Sequence, residues 1–205
     1  MSRLDHLVLA TPDLPGMVDT VTRLVGVAPV AGGRHVGLGT RNYLLGLGDG
    51  GYLEIIGPDP EQPEPERPRP FGIDQLTAPR LVTWAVRVTD IDAVVSEARA
   101  AGYDPGEVAE MSRATPDGLI LQWRLTFPRG GHSEVVPFLI DWGDTTHPSA
   151  NLPRVTLRSL ALVHPEPALA SADLQALLVD QPVQPGTGPA LIAAIEGPTG
   201  AALLL

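Results

Sequence analysis

The same order of strand and helix signals occurs twice along this chain. An apolar segment, LDHLVLA, is followed by a helix that begins with capping residues and ends at Gly26, and then by three apolar segments separated by glycines. About 80 residues later the order returns: RLVTWAVRV, an Asp-rich cap, an amphipathic helix ending at Gly102, and three more strand candidates. A repeated unit of this size cannot bury its apolar face alone, so the copies must pack together. We therefore predict an α+β fold of two paired βαβββ modules.

Composition sets the remaining boundaries. The stretch PDPEQPEPERPRP, residues 58–70, places six prolines among charged residues, which is typical of an extended, solvent-facing linker. Beyond residue 150 a strand, a short helix and a hairpin predict a shortened third β-α-β-β extension. We assign residues 1–58 to the first module, 59–79 to the linker, 80–150 to the second module and 151–205 to the extension, with both modules in one domain.

Charge and residue usage exclude several classes of function. The net charge is -10 and the arginines are scattered, which argues against binding to nucleic acid or to an anionic membrane. The chain contains no cysteine and no lysine, which excludes thiolate chemistry, Schiff bases and a P-loop lysine. No apolar run is long enough to span a membrane. We predict a cytoplasmic protein that binds a small molecule.

The two modules resemble the vicinal oxygen chelate (glyoxalase/bleomycin resistance/dioxygenase) superfamily, and in particular its glyoxalase-like domain proteins. The resemblance covers roughly residues 3–150 and rests on DHLVLATPDL and on GGRHVGLGTRNYLLGLGDGGYLEIIGPDP. It implies that each module curls its sheet into half of a cup. It also implies a divalent metal held by a first-strand histidine and a fourth-strand glutamate of one module, with matching ligands from the other.

Only half of that ligand set is present here. The resemblance carries the first-strand ligand to His6 and the fourth-strand ligand to Glu54, whereas the corresponding places in the second module hold Trp84 and Phe138. Neither aromatic side chain can bind a metal, and a dimer of equivalent modules would not supply the missing ligands. The implied site for Zn, Ni, Mn or Fe is therefore incomplete.

Two interpretations of this half-site stay open. In the first, His6 and Glu54 recruit His35 as a third ligand; in the second, they act without metal as a base and its partner. His35 opens the stretch H-x-G-x-G-T-R-N, in which Thr40, Arg41 and Asn42 are candidate contacts to a substrate carbonyl or carboxylate. Trp84, Trp123 and Phe138 form either an apolar wall for the substrate or part of the core.

These residues favour an isomerase or lyase of glyoxalase type that acts on a small carbonyl- or carboxylate-bearing metabolite. Glu54 is the candidate base or ligand, His6 its partner, and His35 with Asn42 would orient the substrate. The alternative is a non-catalytic protein of the same fold that sequesters a small molecule, and a third alternative is a scaffold that dimerises through its sheet edges. We predict a homodimer.

Overall fold

A single curled sheet of eight strands carries both predicted modules. The structure is a computed structural model that describes residues 3–115, 118–127 and 134–205. The elements of the first module are β1 (Arg3–Ala10), α1 (Leu14–Val25), β2 (Val30–His35), β3 (Thr40–Gly46) and β4 (Tyr52–Pro58). Those of the second are β5 (Arg80–Arg87), α2 (Ile91–Ala100), β6 (Val108–Ala114), β7 (Ile120–Thr126) and β8 (Phe138–Asp141). The prediction of two βαβββ modules is confirmed.

The strand order shows how the two copies combine. It runs β2-β3-β4-β1-β5-β8-β7-β6, so each module contributes four adjacent strands. Within a module the first strand lies parallel to the fourth, β1 beside β4 and β5 beside β8, while β1 and β5 join the modules in an antiparallel pair. The first and fourth strands of both modules therefore lie side by side at the centre of the sheet.

The residues predicted to begin and end the helices of the modules do so in the structure. The Asp13 carboxylate accepts a hydrogen bond from Gly16 N at 3.0 Å, and Gly26 ends α1 with a φ of 73°. Such a left-handed conformation is easily adopted by glycine, which has no Cβ. Asp90 caps α2 in the same way by accepting from Ala93 N at 3.1 Å.

Strand alternation separates the sheet into two faces. Leu7 and Leu9 on β1 point to the convex face, where they join a large core with α1 and α2. Val8 on β1 points to the concave face, where it joins a second, smaller cluster with Phe138 and Ile140 of β8. The concave face is the interior of the predicted cup.

The C-terminal extension forms a separate sheet over the convex face. Its elements are β9 (Thr156–His164), α3 (Pro167–Ala176), β10 (Val183–Pro185), β11 (Ala190–Gly197) and β12 (Gly200–Leu204), in the strand order β10-β9-β11-β12. The prediction of β-α-β-β missed the short β10, which lies parallel to β9. Leu191, Ile195 and Leu204 join the convex-face core. The extension thus packs against α1 and α2 and contributes no residue to the cavity of the concave face.

The proline-rich stretch 58–70 is exposed at more than half of its positions, and a few contacts anchor the linker to the modules. Asp59 and Ile73 are buried, and a 3₁₀ segment, Pro70–Gln75, contacts the mouth of the cup. Arg69 holds this segment in place by donating to Gly39 O at 3.0 Å and to Asp74 Oδ1 at 2.7 Å. Within the described ranges, no helix is long and apolar enough to cross a membrane.

Candidate functional site

The concave face encloses a small cavity of about 140 Å³ between the two modules. Its polar residues come mainly from the first module: His6, His35, Asn42, Tyr52 and Glu54. The wall from the second module contains Arg113 but is otherwise apolar, with Met111, Trp123, Leu125, Phe127, Phe138, Ile140 and Trp142. A mostly apolar cavity with a few convergent polar groups is the usual form of a small-molecule site.

Glu54 lies at the centre of the polar side. It sits on β4, and its side chain is only 12% exposed. Asn42 Nδ2 donates to Glu54 Oε1 at 2.5 Å, and His35 Nε2 is 3.8 Å from the same oxygen. His6 Nε2 is 3.7 Å from Glu54 Oε2. The predicted group of His6, His35, Asn42 and Glu54 therefore comes together around one carboxylate.

His6 is held by contacts on both sides of its ring. The ring stacks on Tyr52 with centroids 4.8 Å apart, and its Nδ1 lies 2.7 Å from Asp5 Oδ1. An ionised Asp5 can only accept, so Nδ1 carries the proton. In the neutral imidazole, Nε2 then presents a lone pair toward Glu54.

Asp5 is a fully buried carboxylate with partners from both modules. Its Oδ2 lies 2.8 Å from His147 Nε2, accepts from Trp142 Nε1 at 3.0 Å, and is 3.4 Å from Arg87 Nε. Burial alone would raise the pKa of Asp5, but the hydrogen bonds from His147 and His6 outweigh burial and hold this pKa below its ordinary value. Asp5 is therefore ionised at neutral pH and can accept the hydrogen bond from His6 Nδ1.

The surroundings of His35 favour its neutral form. Burial lowers its pKa below the ordinary value, the nearby Glu54 opposes this effect, and the Arg113 guanidinium adds to it. Its Nδ1 lies 2.9 Å from Thr40 Oγ1, while its Nε2 faces Glu54. Thr40 thus orients the His35 ring.

Three of the predicted site residues lie outside the cavity. Thr40 acts through His35, as just described. Arg41 points away from the cavity, toward Asp59 and Glu61. Trp84 lies in the convex-face core, where its Nε1 donates to Val135 O at 2.7 Å.

The strand register explains the position of Trp84. Ala85, not Trp84, pairs with both His6 and Phe138 and faces the concave side. Adjacent residues on a strand point to opposite faces, so a shift of one residue in the repeat alignment moves the side chain across the sheet. Trp123 and Phe138 do line the cavity, as an apolar wall requires.

The sequence did not single out Asp5, Tyr52, Arg113, Trp142 or His147 as site residues. A regular strand would direct Asp5 away from the face of His6, but the register shifts between Leu4 and His6, and this irregularity brings Asp5 to the His6 ring. Tyr52 was detectable in principle, because it lies two residues before Glu54 on the same strand and therefore on the same face.

The donor set fits a divalent metal in chemistry but not in spacing. Two imidazoles and a carboxylate are suitable ligands, and each imidazole has a hydrogen-bond partner at its other nitrogen. However, across residues 3–115, 118–127 and 134–205 no group of three or more His, Asp or Glu side chains is placed to hold a metal ion. Asn42 also occupies Glu54 Oε1. As they are placed, these side chains do not form a metal site.

Comparisons with known proteins agree with this architecture. A hypothetical protein from Staphylococcus aureus is 12% identical, with a TM-score of 0.67 over 100% of this chain and 99% of that chain, so the fold is shared along the whole length. Methylmalonyl-CoA epimerase from Mycobacterium tuberculosis is 21% identical over 67% of this chain and 86% of that chain, with a TM-score of 0.46. At that level of similarity, the activity of the epimerase says nothing about the activity of this chain. A search of curated proteins finds no match.

The family comparison covers most of the chain. The family model described as a glyoxalase-like domain matches residues 4–178. This range includes both modules and continues through β9 and α3, so the match reaches into the extension. The chain therefore belongs to the family of glyoxalase-like domain proteins.

Proposed function

We propose that the protein is an isomerase-type enzyme that binds a small carbonyl compound in the cavity, and that Glu54 removes a proton from the carbon next to the carbonyl. The observation that carries this proposal is the environment of Glu54. Its polar neighbours are Asn42 and two histidines, with no arginine within ion-pair distance among the described residues. A carboxylate that no arginine occupies stays available to contact a C–H group of a bound substrate.

The proposed step is a proton transfer that needs no co-reactant. The C–H bond breaks, the proton moves to Glu54, and the electron pair moves to the carbonyl oxygen to give an enolate. Return of a proton to the opposite face of that carbon restores the carbonyl, inverts the configuration at the carbon and completes an isomerisation. Asn42 fixes one oxygen of Glu54 and leaves Oε2 toward His6, whose Nε2 can accept the proton in turn.

The test is solvent exchange at carbon. Wild-type protein in D₂O is incubated with a panel of small ketones and oxo acids, and loss of the C–H signal is followed by ¹H NMR. Glu54→Gln keeps the shape but removes the base, so we expect exchange to fall by about 10²-fold or more. Glu97→Gln, on the exposed face of α2, is the matched control and should exchange like the wild type.

Exchange that continues at the wild-type rate in Glu54→Gln would contradict the proposal. Binding of the variant is checked separately, by titration with the most reactive compound. Retained binding with lost exchange assigns Glu54 to the chemistry, whereas loss of both would show only that the site is damaged.

The second candidate function is sequestration without chemistry. It is favoured by the wall from the second module, where Trp123, Phe138, Ile140 and Trp142 present an apolar surface. Such a wall supplies binding energy but no acid or base. Tight binding with no exchange, unchanged in Glu54→Gln, would establish this function in place of the first.

A further inference from the structure

Arg113 is a buried cation in the cavity. It lies on β6 of the second module, is 8% exposed, and lines the same cavity as Glu54. Its Nη1 donates to Gly32 O at 2.5 Å, across the seam where the outer strands β6 and β2 meet. A guanidinium stays protonated in proteins, so this site carries a fixed positive charge.

Among the described residues, Arg113 has no carboxylate partner. Nowhere in the described part of the chain does an Asp or Glu oxygen lie within 4.0 Å of its guanidinium nitrogens, unlike Arg69, Arg99 and Arg124, which all form ion pairs. Burying a charge without a counter-charge is costly. The backbone carbonyl of Gly32 uses one of the five N–H groups, and no carboxylate in residues 3–115, 118–127 and 134–205 balances the positive charge.

We propose that Arg113 binds a carboxylate group of the substrate, and that the substrate is an anionic carbon acid with an apolar substituent. The cavity contains the Arg113 guanidinium, the Glu54 carboxyl group and an apolar wall that includes Trp123 and Phe138. A carboxylate would pair with the first, an acidic C–H would face the second, and an alkyl or aryl group would cover the third. The guanidinium can bind a carboxylate through two parallel hydrogen bonds.

Arg113 gives the second module a role in binding the substrate. Arg41 was the arginine predicted to contact a substrate carboxylate, but it lies outside the cavity, paired with acidic residues. Met111 and Arg113 are two positions apart on β6, so both side chains face the concave side. Arg113 therefore places a cation in the cavity, whereas Arg41 does not. The assignment of Glu54 as the base rests on the proposed function, whereas the site for an anion at Arg113 does not.

Paired probes that differ only in charge test the proposal. Phenylacetate, 3-phenylpropanoate and 4-methylpentanoate are each compared with the corresponding amide by calorimetric titration. The amide has the same shape as the acid but no negative charge. We expect the wild type to bind at least one acid about tenfold or more tightly than its amide, because the ion pair forms in a site shielded from water.

Two Arg113 variants and one control complete the experiment. Arg113→Gln should abolish the preference for the acid, and Arg113→Lys should restore part of it, which also guards against an unfolded variant. Arg124→Gln removes an exposed arginine on the neighbouring β7, paired with Asp92, and should keep the full preference. Circular dichroism checks the fold of each variant.

Equal binding of acids and amides by the wild type, or no binding of any acid, would overturn the proposal. So would a preference that survives in Arg113→Gln. Glu54→Gln separates this test from the previous one, because removing the negative charge should leave or strengthen acid binding even if it abolishes proton exchange. Failure at Arg113 and failure at Glu54 are thus distinguishable.

Discussion

Replacing Asp5 with Asn tests the buried polar centre on which the position of His6 depends. The carboxylate is fully buried and surrounded by donors: His6 Nδ1 at 2.7 Å, His147 Nε2 at 2.8 Å and Trp142 Nε1 at 3.0 Å. The Asn side chain has nearly the volume of Asp but no negative charge. Its amide nitrogen can only donate a hydrogen bond, yet it must face at least one of these three N–H groups. If the amide nitrogen faces His6 Nδ1, the ring must present a lone pair at Nδ1 and carry its proton on Nε2, so that no lone pair then faces Glu54.

The expected loss of stability follows from these contacts. A hydrogen bond to a charged group contributes about 1.5–3 kcal/mol and a neutral one about 0.5–1.5 kcal/mol, so losing the charge costs roughly 1 kcal/mol for each of three bonds. The sum of about 3 kcal/mol agrees with the roughly 3–5 kcal/mol found when one partner of a buried ion pair is removed. Arg87, 3.4 Å away, also loses its counter-charge.

The assay is urea unfolding at pH 7, followed by tryptophan fluorescence and circular dichroism. Asp92→Asn, which removes a solvent-exposed partner of Arg124, is the control and should leave the free energy of unfolding nearly unchanged. A loss below about 1 kcal/mol for Asp5→Asn would refute the assignment of Asp5 as an ionised, multiply bonded group.

The same pair of proteins should differ in their response to acid. The pKa of Asp5 is lower in the folded protein than in the unfolded chain, so its contribution to stability is present above the unfolded pKa, near 4, and is lost as the pH falls toward the folded pKa. The gap between wild type and Asp5→Asn should therefore narrow below about pH 4. A gap that is constant from pH 7 to pH 3 would contradict the lowered pKa.

Two further predictions concern the core and the metal. Trp84→Phe should reduce the free energy of unfolding by about 2 kcal/mol, because the Val135 carbonyl loses its buried donor and the core loses volume, yet it should leave the acid-over-amide preference intact; a lost preference would place Trp84 in the site after all. Elemental analysis of purified protein should find no stoichiometric Zn, Ni, Mn or Fe, because His6, His35 and Glu54 are not spaced as a ligand set. A stoichiometric metal that disappears in Glu54→Gln would show instead that these side chains rearrange to bind one.

The two modules could be predicted from the sequence because their order of strands and helices depends on local periodicity. The grouping of His6 with Glu54 was instead implied by the resemblance to the superfamily, since periodicity alone does not fix the register between two strands. In the parallel pairing of β1 with β4, His6 lies beside Tyr52 and Val8 beside Glu54, and all four side chains point to the concave side.

Long-range contacts account for what the sequence did not predict. His147 is 142 positions from Asp5 along the chain, and nothing in the surrounding loop sequence indicates that it contacts the first strand. Trp84 and Ala85 exchange roles through a single register position, which periodicity cannot fix without a partner strand. The three-residue β10 ends in proline and pairs with β9 only after α3 has returned the chain, so its sequence carries little strand signal.

The Asp5 contacts also have a mechanical consequence. Asp5 and His6 belong to the first module, whereas Trp142 and His147 follow the last strand of the second, so the bonds that orient the imidazole cross the boundary between the two halves of the cup. Any hinge motion that spread the halves would pull on Asp5 and thereby tilt the His6 ring. The orientation of the His6 imidazole therefore depends on residues of both modules.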